Sequence, residues 1–277
     1  MEDKVFNRVV EHYKEGCNRF TNNRVVACAL HGSQNYHLDF STSDVDTKII
    51  ITPDFIDVVK NKPPINEIVA MDNKEQITFK DIRLYIESLR KQNINFVETL
   101  FTDWYITNPT YHYQWKRLIY KREDIARLNE YQALRTMIGV TRSEYKHMTK
   151  ASAEGDGVKT YYDSDGAIRS INELGYNPKA YASVCRVSEF ISSYIAGWDY
   201  KECLVPSNID FVRRAKQGEF PKEAAIEHAK SIMETIDMCE ANILPKYFNV
   251  ENKETLDLME DVVYEIMKTS MREELLN

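Results

Sequence analysis

HGSQNYHLDFSTSDVDTKIII, residues 31–51, is the stretch on which the reading of this chain turns. It opens with Gly32-Ser33, runs through turn-forming residues, sets Asp44 and Asp46 one residue apart, and ends in an apolar run. Side chains of a strand alternate between its faces, so Asp44 and Asp46 point the same way. Two such carboxylates repel, and each resists burial while ionised. A divalent cation relieves both penalties. Mg2+ takes hard oxygen ligands, commonly one or two carboxylates completed by phosphate oxygens. Paired ions of this kind serve enzymes that displace a group at phosphorus in line.

The residues upstream fit the same chemistry. RVVACAL, residues 24–30, is a short β-rich run that leads through His31 to Gly32-Ser33. Glycine lets the backbone approach a phosphate closely. A helix starting after Ser33 would turn its amides and positive end toward a triphosphate tail. The Ser33 hydroxyl adds a donor. Strand, Gly-Ser, helix start and a second strand with Asp-x-Asp form one device, which holds a nucleoside triphosphate by its tail and sets metal ions against its α-phosphorus. An Asp-x-Asp pair alone is often a solvated turn; the upstream Gly-Ser lifts it above that reading.

Outward from this stretch the chain divides near residue 105, giving an α+β fold: a domain over 1–105 with a small mixed sheet flanked by helices, then a mainly helical domain over 106–277. In the first part, Val5, Val9, Val10, Tyr13 and Cys17 recur at helical spacing within residues 3–20. Residues 45–51 form the second strand, and 67–71 and 74–79 are weaker strand candidates. Asp81 caps a helix over 82–92. In the second part, helices are expected over 122–150, 178–196, 222–243 and 251–276, with Pro178 and Pro221 at helix starts. Between them, DSDGAI resembles part of a calcium loop, but with Gly166 sixth the first and twelfth positions fall on Tyr161 and Asn172, which cannot serve. A β-hairpin near 157–171, VKTYY and AIRSI joined at Asp163 to Gly166, accounts for the segment better.

Composition narrows the classes. The net charge of −7 does not advertise a broad basic groove for duplex nucleic acid. No stretch is apolar enough to span a bilayer, and no signal-peptide core follows the charged N-terminus, so no membrane partner is expected. Five scattered cysteines without a CxxC pair indicate reduced packing thiols and a cytoplasmic setting.

Gly-Ser, a spacer, then acidic-hydrophobic-acidic on the next strand resembles the signature of the DNA polymerase beta nucleotidyltransferase superfamily. One branch is closer: the nucleotidyltransferases of bacteria and phages that include RNA-ligase-associated members, with the pattern GSxxYGxxxxxSDxDxxG. Gly32, Ser33, Tyr36, Ser43, Asp44 and Asp46 match it without a gap. Asn93, Glu98 and Leu100 in KQNINFVETLF match a later GNPxxxExL segment. Lys179 and Arg186 match a Lys and Arg seven apart on a helix, and RRAKQGEF is similar to a late Ile-Lys-x-Gly-Glu stretch.

The resemblance implies a Mg2+- or Mn2+-dependent enzyme that moves NMP from an NTP to an acceptor hydroxyl, on a nucleic acid such as an RNA end or a tRNA, with release of pyrophosphate. Asp44 and Asp46 would be catalytic and hold the metal; Gly32, Ser33, Lys179 and Arg186 would bind the nucleotide, with the helical domain closing the cleft. Nucleotidylation of a protein, or a nucleotide-binding regulatory module without turnover, are the alternatives. The chain departs from the pattern at His37, which replaces a glycine, and at Ile94, which replaces a proline. A third carboxylate is expected on a later strand, where the register gives Gln76, with Glu75 and Asp72 nearby. Elsewhere, TYHYQW (110–115) reads as hinge packing between domains, and WKRLIYKR (115–122) as a nucleic-acid guide or a solvated face. His31, His37, His112, His147 and His228 lack zinc spacing, and Cys185 has no constellation of a thiol enzyme.

Overall fold

A computed structural model describes residues 2–73, 75–150 and 174–276; the hairpin expected near 157–171 lies outside the described residues. The chain begins with helix α1 (Glu2–Phe20) and strands β1 (Val25–His31) and β2 (Asp46–Ile51). A short helix α2 (Phe55–Val59) leads to β3 (Asn66–Ala70) and β4 (Gln76–Asp81). Asp81 then caps α3 (Ile82–Arg90), its carboxylate accepting the Arg83 N–H at 2.9 Å. Helix α4 (Ile94–Val97) and strand β5 (Tyr105–Thr107) follow, the strand having no counterpart in the sequence reading because it is only three residues long.

The five strands form one mixed sheet in the order β3-β4-β2-β1-β5. β2 and β4 run parallel; the other neighbours are antiparallel. The two faces of the sheet differ in chemistry. On one, Cys28, Leu30, Ile49, Ile51, Ile77 and Phe79 form an apolar core with Val5 and Val9 of α1. Fully burying each such side chain is worth about 1.5–3 kcal/mol. On the other, the same strands present His31, Asp46, Lys48, Gln76, Thr78 and Lys80, as alternation requires.

Two compact units emerge. The first comprises residues 1–35, 39–129 and 250–277; the second comprises 36–38 and 130–249. Segments 106–129 and 250–277 therefore group with the sheet, where the change in composition put the division at 105. The reason is burial: Trp115 of α5 (His112–Tyr120) is buried and stacks on Tyr85 of α3 at 5.7 Å. The helix expected over 122–150 is two helices, α6 (Arg122–Ala126) and α7 (Glu130–Lys150), and the carbonyl of Leu128 between them accepts the Asn252 N–H at 2.9 Å. The second unit is built on α7 and α8 (Pro178–Ile195), with α9 (Tyr200–Leu204), α10 (Ile209–Gln217) and α11 (Lys222–Asn242). Asn177 caps α8 by accepting the Ala180 N–H. Helix α12 (Lys253–Leu276) returns to the first unit.

Gly16 brings α1 close to the sheet: a Cβ there would lie 2.8 Å from Ile49 Cδ1. Gly16→Val is expected to lower stability by about 1–3 kcal/mol through overpacking. Gly139, in the exposed part of α7, has no described atom within 4 Å of a built Cβ. Gly139→Ala should raise stability by roughly 0.5–1 kcal/mol through helix propensity. Urea unfolding of both variants checks the pair of opposite signs.

Candidate active site

β1 ends at His31, and Gly32 turns the chain with φ +104, a conformation that only glycine adopts at low cost. A Cβ on Gly32 would meet no described atom within 4 Å, so the turn borders open space. Ser33–Tyr36 is a single 3₁₀ turn closed by the Asn35 N–H on the Gly32 carbonyl at 3.0 Å. The helix start expected after Ser33 is therefore not formed, and so short a turn carries no macrodipole to hold a phosphate tail. His37 ends it at φ +56, in the left-handed region. The family pattern has a glycine at this position, and His37 adopts the conformation that a glycine would supply.

The register places this turn beside the aspartates: His31 pairs with Asp46 across β1 and β2. Asp44 is exposed and Asp46 half-buried, while Val45 between them points into the core. Three hydrogen bonds hold the segment. Gln34 Nε2 donates to the Asp44 carbonyl at 2.6 Å, the Val45 N–H to Glu75 Oε1 at 3.3 Å, and the Gln76 N–H to Asp46 Oδ1 at 2.8 Å. Asp44 and Asp46 offer hard oxygens of the kind Mg2+ takes, and such a site is completed by substrate phosphates. Among the described residues no group of three or more His, Cys, Asp or Glu could hold a metal ion.

Among the described residues no third acid joins them. Gln76 stands next to Asp46 and carries no carboxylate, and Asp72 lies exposed in the turn before β4. Glu75 projects from the opposite face and serves the fold. Its Oε2 accepts from Arg8 Nε at 2.9 Å and Asn73 Nδ2 at 2.8 Å, and lies 3.1 Å from His12 Nε2. Burial pushes the Glu75 carboxyl up, but the bonds from Arg8 and Asn73 and the nearby charges outweigh this and hold it below the usual carboxylate range. His12, whose Nδ1 lies 2.9 Å from Thr47 Oγ1, is fully buried; burial lowers its pKa, with Glu75 opposing.

Behind the aspartates lies a buried ionic cluster that the sequence reading missed. Lys48 is 4% exposed, and burial lowers its ammonium to about 8, with Glu98 and Asp46 opposing and Lys80 adding. Its Nζ lies 5.0 Å from the Phe96 ring centroid, and that of Lys80 4.0 Å. Glu98, fully buried, accepts the Gly32 N–H at 3.1 Å and lies 3.8 Å from His31 Nδ1. Burial, with Lys48 adding to it, holds His31 well below the usual histidine range. The signal was present: a lysine between Thr47 and the Ile49–Ile51 run of a buried strand is out of place unless something requires it. Glu98 belonged to the family pattern but had no role assigned.

Lys179 and Arg186 lie on α8, in the second unit. Lys179 is exposed. Arg186 is 8% exposed, sits 3.9 Å from the Tyr36 ring centroid, and its Nη1 has no hydrogen-bond partner among the described residues. Tyr36–Leu38 belongs to the same unit, and Lys216 of α10 donates to the Leu38 carbonyl at 2.9 Å. Burial raises the Glu144 carboxyl, against the opposing charges of His147, Arg186 and Lys179. In RRAKQGEF, Gly218 caps α10 at φ +75.

The remaining candidates take structural roles. Tyr111 and Trp115 are core residues of the first unit and not a hinge between domains. The basic stretch 115–122 is largely paired: Lys116 with the Tyr105 hydroxyl at 2.7 Å, Arg117 with Glu265 at 2.9 Å, and Lys121 with Asp124 at 2.9 Å. Burial pushes the Cys185 thiol up to about 12, away from nucleophile chemistry. No described helix is long and apolar enough to cross a membrane. Comparison with protein-family models gives no match, and comparison with curated proteins gives none either.

The buried His12 generates a pH dependence. Its folded pKa lies below 6.5, so as pH falls through 6.5 the unfolded chain binds a proton that the folded one does not. Stability is then lost on acidification by at most about 1.4 kcal/mol per pH unit per group. Glu75, held low, adds its loss only in the carboxylate range below. Urea unfolding from pH 7.5 to 5.5 should show the decline; His31, also held low by burial, adds to it, so His12→Gln should reduce the slope without abolishing it.

Proposed function

We propose that this protein is a nucleotidyltransferase that transfers NMP from an NTP to an acceptor hydroxyl on a nucleic acid. One observation carries the reading: the register that sets His31 opposite Asp46 brings the Gly32-Ser33 turn and the Asp44-Asp46 pair to the same end of two neighbouring strands. Phosphate-contacting backbone and metal-binding carboxylates must converge in this way on a triphosphate. The first-unit fold, a small mixed sheet covered by helices, supports it further, as does the match of Gly32, Ser33, Tyr36, Ser43, Asp44 and Asp46 to the family pattern.

In this reading Ser33 donates its hydroxyl to a phosphate oxygen, and Gly32 keeps the wall of the turn free of side chain. Asp44 and Asp46 carry the divalent cation, which when bound neutralises phosphate charge and polarises the α-phosphorus. The acceptor oxygen forms its bond to the α-phosphorus as the bond to the bridging oxygen breaks, and pyrophosphate leaves. The resemblance alone puts Lys179 and Arg186 among the nucleotide-binding residues. The acceptor's proton needs a base, and Gln76 cannot provide it. That observation favours a second reading, in which the site binds nucleotide without turning it over.

Incubation with each α-labelled NTP, Mg2+ or Mn2+ and total RNA separates these readings. Label on RNA is the expected result, whereas label on the protein would indicate self-nucleotidylation. Bound NTP with no label transferred would establish the second reading. Asp44→Asn and Asp46→Asn are each expected to abolish transfer while melting temperature stays the same or rises, since a repelling charge is lost. Transfer at the normal rate by either folded variant would remove the carboxylates from the chemistry.

A further inference from the structure

The polar face of the sheet holds a charge that neither the fold nor the proposed metal pair explains. Lys48 lies two residues past Asp46 on the same face of β2, about 7 Å along the strand. Its immediate neighbours in the sheet are small, Ala29 on β1 and Thr78 on β4. The residue is buried, and its Nζ lies 5.0 Å from the Phe96 ring centroid. Among the described residues its ammonium makes no hydrogen bond and no ion pair, although Asp46 and Glu98 attract it. Lys80, by contrast, reaches Asn66 Oδ1 at 3.4 Å.

Placing a lysine at so buried a position is costly, and Met or Leu there would remove the cost. Its three donors lie on the face that also carries Asp46, behind a turn whose first amide is already taken by Glu98. We propose that Lys48 is an anion-binding residue that donates to the phosphate oxygens of a nucleotide's triphosphate tail, supplying the contact that the missing helix start does not. The identity of the anion rests on the nucleotidyltransferase reading; the existence of an anion site at Lys48 does not. Glu98 acts as a positioning group: one carboxylate holds the Gly32 amide and attracts Lys48, tying the turn to the lysine.

The test is metal-free calorimetry with inorganic tripolyphosphate in EDTA, followed by ATP with Mg2+. Lys48→Met, which keeps length and loses charge, is expected to weaken tripolyphosphate binding by about ten- to hundredfold, with melting temperature unchanged or higher. Lys48→Arg should retain most of the affinity. As a check that needs no variant to fold, the Cε resonance of Lys48 in the wild-type protein should move on tripolyphosphate titration, and that of Lys80 should move less. Wild-type affinity in folded Lys48→Met, or a Lys48 resonance that does not respond, overturns the proposal. A shift produced by a 5′-hydroxyl RNA oligomer and not by tripolyphosphate also overturns it, since the anion would then be an acceptor backbone. Asp44→Asn keeps the two readings apart: it should lose transfer yet still bind tripolyphosphate without metal. A protein that binds tripolyphosphate through Lys48 and never transfers label would retain this site and lose the transferase.

Discussion

Antiparallel pairing of β1 with β2, with His31 opposite Asp46, governs everything else in the first unit. Side chains in a strand alternate with a period of two, so this one register decides both faces together. It sends Leu30, Cys28, Ile49 and Ile51 toward α1, and it sends Asp46 and Lys48 away from it. A slip of one residue would drive a carboxylate and an ammonium into the apolar core and turn Ile49 out. The apolar face thus specifies the polar face, although the two lie on opposite sides of the sheet. Glu75 reinforces the arrangement from the core side by binding the amide between the two aspartates.

The polar face does little for stability. Moving an ion out of water costs several kcal/mol even in real proteins, and mutual attraction recovers this only with good geometry. Here Lys48 and Lys80 lie against Phe96, with Glu98 and Asp46 as the opposing charges near Lys48. Apolar residues of similar size would pack at least as well. Stability comes from the α1 side, where the side chains are apolar and closely packed, and that surplus carries the electrostatic strain opposite. Such a division between a stabilising face and a strained one is the usual arrangement where a site needs charge in a dry place.

Much of this was legible in the sequence. α1, β1, β2 and the Asp81 cap follow from apolar spacing and capping chemistry, and the structure has them within one or two residues of the expected bounds. Asp44, Asp46, Gly32 and Ser33 stand out as candidates in the sequence because their chemistry is written locally. Other features could not be read in this way. β5 is three residues long and owes its existence to pairing with β1. The break between α6 and α7 leaves no proline or glycine as a mark. The grouping of α5 and α12 with the sheet depends on where Trp115 is buried, a long-range fact. Lys48 and Glu98 were visible as residues, but their proximity exists only after folding, fifty residues apart in the chain.

The three departures from the family pattern are of different physical kinds, and the difference matters for what the site does. His37 adopts the positive φ that a glycine would take, and Ile94 occupies the first position of α4, after the Asn93 cap, where a proline is also at ease. Both substitutions leave backbone geometry intact. Gln76 is another matter: it preserves the strand and even donates its N–H to Asp46, but it removes a carboxylate that could take a proton. Measured against that pattern, the backbone geometry is matched at His37 and Ile94, and a carboxylate is absent at Gln76. In the proposed reading, nucleotide binding and turnover are separable properties of the site. Binding would then draw on the turn, the paired aspartates and Lys48, whereas turnover would draw on a base that Gln76 does not supply.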